Sequence, residues 1–231
     1  MKFTNSNKSL DIKNLGIYVV LFLIVGMVGF LFLSPTFERN APKIKVDEQI
    51  YWNLQKPISL AIHDDYGIKS YELSFIDGDK KIKLDSKVVS SENGTLNLEV
   101  IPPVFDEFYK PTQGILQVKV IDNSLWNFFN GNSAVRNSKI IIDKRSPVAN
   151  VISNSYLLRQ GGSGIIVVEI NDENLKDYYI TFHDEEVFEL FPFQKKGFYI
   201  SIITWPIDIK EFKKVNLVAD DMANNKTVTK V

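Results

Sequence analysis

Ile58-Ser59-Leu60-Ala61-Ile62-His63-Asp64-Asp65 is echoed later in the chain by Ile166-Val167-Val168-Glu169-Ile170-Asn171-Asp172-Glu173. In both stretches the first, third and fifth positions are apolar, and an acidic pair follows. A period of two puts one face of a strand into a core and the other toward solvent. Working outward, Ala41-Pro42-Lys43-Ile44-Lys45-Val46 matches Ser146-Pro147-Val148-Ala149-Asn150-Val151. Tyr71-Glu72-Leu73-Ser74-Phe75 matches Tyr179-Ile180-Thr181-Phe182, and a charged turn follows each, Asp77-Gly78-Asp79 in one and Asp184-Glu185-Glu186 in the other. Near the end, Val120-Ile121-Asp122 followed by Asn127 aligns with Val218-Ala219-Asp220 followed by Asn225. The chain therefore carries two imperfect copies of one pattern.

The strand period recurs between these landmarks. Leu96, Leu98 and Val100 alternate with Asn97 and Glu99, and Val118 and Val120 flank Lys119. Asp77-Gly78 reads as a hairpin, because a tight primed turn needs a positive φ that glycine adopts without steric cost. Each copy predicts about seven short antiparallel strands in about 100 residues, the size of an immunoglobulin-like sandwich. The expected fold is all-β: two tandem immunoglobulin-like β-sandwich modules, residues 41–145 and 146–231, behind one N-terminal transmembrane helix. A single continuous β-sandwich or solenoid is the alternative. The join Asp143-Lys144-Arg145-Ser146-Pro147 argues against it, being charged, proline-terminated and linker-like.

Ahead of the repeats, Leu15 to Leu33 is an uncharged apolar run. At about 1.5 Å per residue it makes a helix roughly 28 Å long, close to the hydrocarbon thickness of a bilayer. A cleaved signal peptide would carry a shorter apolar region and a small-x-small cleavage site, neither of which is present. The expected layout is a cytoplasmic tail (1–14), the transmembrane helix (15–33) and a linker (34–40). Lys2, Lys8 and Lys13 before the span balance Arg39, Lys43 and Lys45 after it. Because long C-terminal regions translocate largely regardless of charge, the expected placement is a single pass with the N-terminus in the cytoplasm and residues 34–231 outside.

A net charge of −1 gives no basic field for nucleic acid, and the absence of cysteine removes thiolate chemistry and disulfides. The two histidines, His63 and His183, lack partners at zinc-ligand spacing: no His-x-x-x-Asp, His-x-His or His-Glu-x-x-His occurs, and positions 67 and 187 are Gly67 and Val187. Neither a metal site nor a catalytic residue is expected in this chain. Asp64, Asp65, Asp172, Glu173, Asp220 and Asp221 read first as turn formers through side-chain-to-backbone hydrogen bonds. Calcium, which takes six to eight oxygens, is the rarer alternative. Gly161-Gly162-Ser163-Gly164 reads as a turn, since no lysine follows to make it a phosphate loop.

The copies differ most at Ser124-Leu125-Trp126-Asn127-Phe128-Phe129-Asn130-Gly131, where the second has only Met222-Ala223-Asn224-Asn225. Trp126, Phe128 and Phe129 are candidate partner-docking residues. The competing reading has these rings covering the first module's own core or packing at the module junction. Pro102 to Tyr109 and Trp205 to Phe212 occupy equivalent places and read as crossovers between two sheets.

A short Lys/Asn-rich tail, one span, the Ala41-Pro42-Lys43-Ile44 start, Ser146-Pro147-Val148-Ala149-Asn150-Val151-Ile152-Ser153-Asn154-Ser155-Tyr156, Asp172-Glu173-Asn174-Leu175-Lys176-Asp177 and Val215-Asn216-Leu217-Val218-Ala219-Asp220 occur together. This combination resembles the N-terminal, non-catalytic region of membrane-anchored M23-type (LytM-like) peptidoglycan metallopeptidases of Campylobacter-like bacteria. The resemblance implies a single-pass inner-membrane anchor and a periplasmic stalk or regulatory region for a cell-wall endopeptidase, with peptidoglycan or a peptidase domain as partner. Zinc would belong to the catalytic domain, whose motifs this chain lacks, so no ligand is carried over. The alternative expectation is a non-enzymatic envelope binding or scaffold protein.

Overall fold

The computed structural model describes residues 12–91, 94–183, 185–212 and 214–231. Residues 1–11 of the expected cytoplasmic tail lie outside the described residues, and residues 12–14 belong to the first helix. Helix α1 (Ile12–Leu33) is the first described element, and its Leu15–Leu33 stretch is long and apolar enough to cross a membrane, with a mean hydropathy of 2.7 and none of it buried against the rest of the protein. It stops at Ser34-Pro35, where the Ser34 hydroxyl accepts from the Thr36 N–H and caps a single 3-10 turn, Pro35–Phe37. The proline at the first position costs that turn nothing, because its missing N–H would have had no partner there.

The rest is mostly β. The first half contains β1 (Lys43–Lys45), β2 (Gln49–Trp52), β3 (Ile58–His63), β4 (Ile68–Asp77), β5 (Lys80–Ser91), β6 (Thr95–Val100), β7 (Gln113–Asp122) and β8 (Ser133–Ile142). They form two sheets, ordered β1-β3-β6 and β2-β8-β7-β4-β5. The second half contains β9 (Val148–Asn154), β10 (Ser163–Asn171), β11 (Leu175–Phe182), β12 (Glu186–Glu189), β13 (Phe191–Pro192), β14 (Phe198–Thr204), β15 (Val215–Asp221) and β16 (Lys226–Lys230). Its sheets are ordered β13-β14-β10-β9 and β12-β11-β15-β16.

Among the described residues each half therefore has eight strands where the sequence predicts seven. The surplus in the first half comes from the chain entry: β1 pairs antiparallel with β3, then the chain switches sheets and β2 runs parallel to β8. In the second half it comes from the two-residue β13 on the edge of β14.

The period-two reading of the decisive stretches holds. Ile58, Leu60 and Ile62 are buried while Ser59 and His63 are exposed, and Ile166, Val168 and Ile170 are buried along β10. Each half closes its own core from both of its sheets. Leu60, Ile62 and Val100 meet Leu73, Phe75, Val118 and Ile140 in the first. Ile166, Val168 and Ile203 meet Ile180, Phe182 and Leu217 in the second. The hairpin is where the sequence puts it: Asp77 pairs with Lys80, and Gly78 takes φ +56° between them. Residues 101–112 and 205–214 carry the chain from one sheet of each half to the other, as the two crossovers predict.

Candidate functional site

Two features gather polar or exposed apolar chemistry, and both lie where the chain enters a half. The first is acidic. Glu38 from the linker, Asp64 at the end of β3 and Asp122 at the end of β7 bring carboxylate oxygens within 4.8 Å of one another. Asp122 is fully buried and Asp64 nearly so. Local geometry accounts for much of the arrangement: Asp64 accepts from the Tyr66 N–H at 2.9 Å and Asp122 from the Ser124 N–H at 3.0 Å, the two-residue reach of an Asx turn. Asn132 closes the group, its side-chain amide donating to the Asp122 carboxylate (2.8 Å) and to the Glu38 carbonyl (2.9 Å). Glu38 Oε2 is shielded from solvent and has no hydrogen-bond partner.

Burial is the main cause that raises the Asp64 pKa above its ordinary value. The Tyr66 N–H opposes it, and the charges of Asp122, Glu38 and Asp65 reinforce it.

The same construction recurs at the entrance to the second half. Asp172 accepts from the Asn174 N–H (2.6 Å), and Asn225 donates its side-chain amide to Asp221 (2.8 Å) and to the Asp143 carbonyl (2.9 Å). Burial again raises the Asp172 pKa, opposed by the Asn174 N–H and reinforced by Asp221, Asp143 and Glu173. Structurally, then, Glu38, Asp64, Asp122 and Asn132 correspond to Asp143, Asp172, Asp221 and Asn225. This corrects the sequence alignment, which pairs Asp122 with Asp220 and Asn127 with Asn225: the buried clamp on β15 is Asp221, one residue on. Neither Glu38 nor Asp143 stands out in the sequence, because each is a lone acid in a linker. Their shared position before Ala41-Pro42 and Ser146-Pro147 is the signal that could have found them.

The second feature is the aromatic loop. Ser124 is buried and donates its hydroxyl to the Glu38 carbonyl at 2.6 Å, while the Leu125 N–H donates to the Thr36 carbonyl at 2.8 Å. These bonds fasten the loop to the linker that follows α1. Trp126 is half-buried. The Arg39 guanidinium lies 4.2 Å from its ring centroid and 4.2 Å from that of Phe32 in the last turn of α1. Beyond it Asn127, Phe128 and Phe129 have φ of +52°, +56° and +67°, a turn of left-handed backbone held by Phe129 N–H to Leu125 O and Gly131 N–H to Trp126 O. Such backbone costs L-residues about 1–2 kcal/mol each. Phe128 is 92% exposed and Phe129 66%. Neither ring belongs to the core of the first half.

His63 ends β3 and contacts Thr95 and Asp65, and His183 follows β11 in a left-handed turn, stacked on Phe182 at 4.4 Å. The two sit in different halves. An apolar cavity of about 320 Å³ opens on the second half, lined by Tyr156, Leu158, Ile166, Trp205, Phe212 and Val231, and nothing in the sequence pattern announced it. No protein-family model matches this chain, and no curated protein matches it.

Proposed function

We propose that this chain is a single-span membrane protein whose two halves are immunoglobulin-like sandwiches standing in series outside the cytoplasm, as a stalk that holds a functional unit at a set distance from the membrane. One observation carries the reading: the same acid–asparagine clamp fixes the chain at both entrances, α1 to first half and first half to second. Two joints built alike suit a spacer better than an enzyme. The immunoglobulin-like assignment is supported by each half having two sheets over one core, with consecutive strands divided between the sheets. The identity of the client rests on the resemblance drawn from the sequence, and on that ground we assign a peptidoglycan endopeptidase. The scaffold reading is favoured by the exposed Phe128 and Phe129, which give a partner something apolar to grip.

Topology is the first test. The natural chain has no cysteine, so Ser59→Cys on β3 and Ser163→Cys on β10, both at exposed positions, are unique reporters. A membrane-impermeant maleimide should label both in intact bacteria, and protection of both until the cells are lysed would reverse the orientation. The client assignment fails if purified full-length chain neither binds peptidoglycan sacculi nor alters the activity of a co-expressed cell-wall endopeptidase.

A further inference from the structure

We propose that the loop Leu125 to Asn130 is a membrane foot: Phe128 and Phe129 enter the interface of the same bilayer that α1 crosses, with Trp126 at headgroup level. The proposal rests on the reading of α1 as a span. It follows from how close the loop is held to the helix end. Arg39 is sandwiched between Phe32 and Trp126, so their ring centroids are no more than twice 4.2 Å apart. Phe32 belongs to the last turn of the apolar stretch that ends at Leu33. The Leu125 N–H is bonded to the carbonyl of Thr36, three residues past that end, and a 3-10 turn advances only about 2 Å per residue. Phe128 and Phe129 start two and three residues beyond Trp126, within about 10 Å of extended reach. If α1 spans, the backbone that carries these rings is held within about 20 Å of the point where the helix leaves the hydrocarbon, within reach of the interfacial region.

The chemistry suits that depth. Tryptophan and other aromatics are favoured at the membrane–water boundary, where a ring can sit among acyl carbons while its polar edge meets water. Arg39, stacked on Trp126, and Lys69, whose ammonium lies 3.5 Å from the Phe129 carbonyl, flank the rings with positive charge at the level of lipid phosphates. The left-handed turn supplies the means: it reverses the chain at Asn127 to Phe129 and leaves both phenyl rings outside the fold. The corresponding turn of the second half, Met222 to Asn225, is short and carries no aromatic residue, consistent with its greater distance along the chain from the span. Bonded to the linker and inserted beside α1, the foot would give the first half two attachments to the bilayer and so fix its tilt.

The test uses the full chain reconstituted into phosphatidylcholine–phosphatidylglycerol vesicles, with an environment-sensitive fluorophore on one engineered cysteine at a time and lipids carrying bromine at shallow or deep acyl positions as quenchers. Phe128→Cys is suitable because the side chain is almost wholly exposed and its loss removes no packing. Ile24→Cys reports the span and Ser163→Cys the aqueous phase. The expected result is a blue-shifted Phe128→Cys signal, quenched several-fold more by shallow bromine than Ser163→Cys, while Ile24→Cys is quenched best by deep bromine. Quenching of Ile24→Cys with none at Phe128→Cys overturns the foot and leaves the span standing, with a protein partner then the occupant of those rings. Failure of Ile24→Cys to be quenched overturns the span itself.

Discussion

Asp64 shows how one residue can serve geometry at the expense of electrostatics. Its carboxylate caps a turn through the Tyr66 N–H, yet it is buried beside Asp122 and Glu38. Because its folded-state pKa lies above the unfolded value, the folded chain binds the proton more tightly. The stability linked to Asp64 is fully present below the unfolded pKa and is lost as pH rises through the folded one. Asp172 acts in the same direction. Glu72 acts in the opposite sense: the Lys81 ammonium at 2.8 Å lowers its pKa, so its contribution is lost as pH falls. Asp64→Asn keeps an oxygen for the Tyr66 N–H and removes the charge. It should raise the melting temperature at pH 7 and flatten the gain seen on acidification toward pH 4, by differential scanning calorimetry. A lower melting temperature in this variant at pH 7 would show that the carboxylate charge is itself stabilising.

Gly131 makes the complementary case for shape. It ends the aromatic loop at φ +85°, and a Cβ there would lie 2.6 Å from the Asp122 carbonyl oxygen and 2.7 Å from its Oδ1. Gly131→Ala therefore combines backbone strain with overpacking against a buried carboxylate, and should cost roughly 1–3 kcal/mol in urea titrations. The same substitution at Gly161, also at positive φ but with open space around it, should cost less.

At the scale of elements, the joints are set by asparagine. Asn225 donates its side-chain amide to Asp221 Oδ2 and to the carbonyls of Asp143 and Arg145, tying β15 to the chain that enters the second half. Asn225→Ala removes all three bonds and strips the fully buried Asp221 of a donor, which should destabilise the second half by about 1–3 kcal/mol. In hydrogen exchange, amides near Asp143 to Pro147 should open first. Unchanged protection there would mean that the clamp is incidental. Strands such as β3 and β10 were legible because side-chain alternation and burial share one period. The clamps were not, because Asp220 and Asp221 are adjacent and of one type. Only the inward or outward pointing of successive side chains decides which is buried, and a one-residue slip reverses it. Asn132 was hidden for another reason: the aromatic insertion displaces it, so that Asn127 sits at the spacing the second copy led one to expect.

At the scale of the whole molecule, the two cores share no buried apolar residue among the described residues: the first draws on residues between Trp52 and Ile140, the second on residues between Ala149 and Ala219. With no disulfide and no shared core, each half must be stabilised by its own apolar burial. Phe75 and Phe182 are both fully buried and lie at equivalent places in the repeat, on β4 and β11. Truncating either to alanine should cost roughly 3–5 kcal/mol, a large share of what a domain of this size commands. If the halves fold separately, Phe75→Ala should lower one calorimetric transition and Phe182→Ala the other, each leaving its neighbour within a degree or two. The clamp at Asp143 passes some coupling between them, so the double variant combined with Asn225→Ala should bring the two transitions closer to independence. A single transition that both substitutions shift equally would mean that the repeats form one cooperative body. The chain could then no longer be read as two modules in series, and the proposed stalk would be one cooperative block.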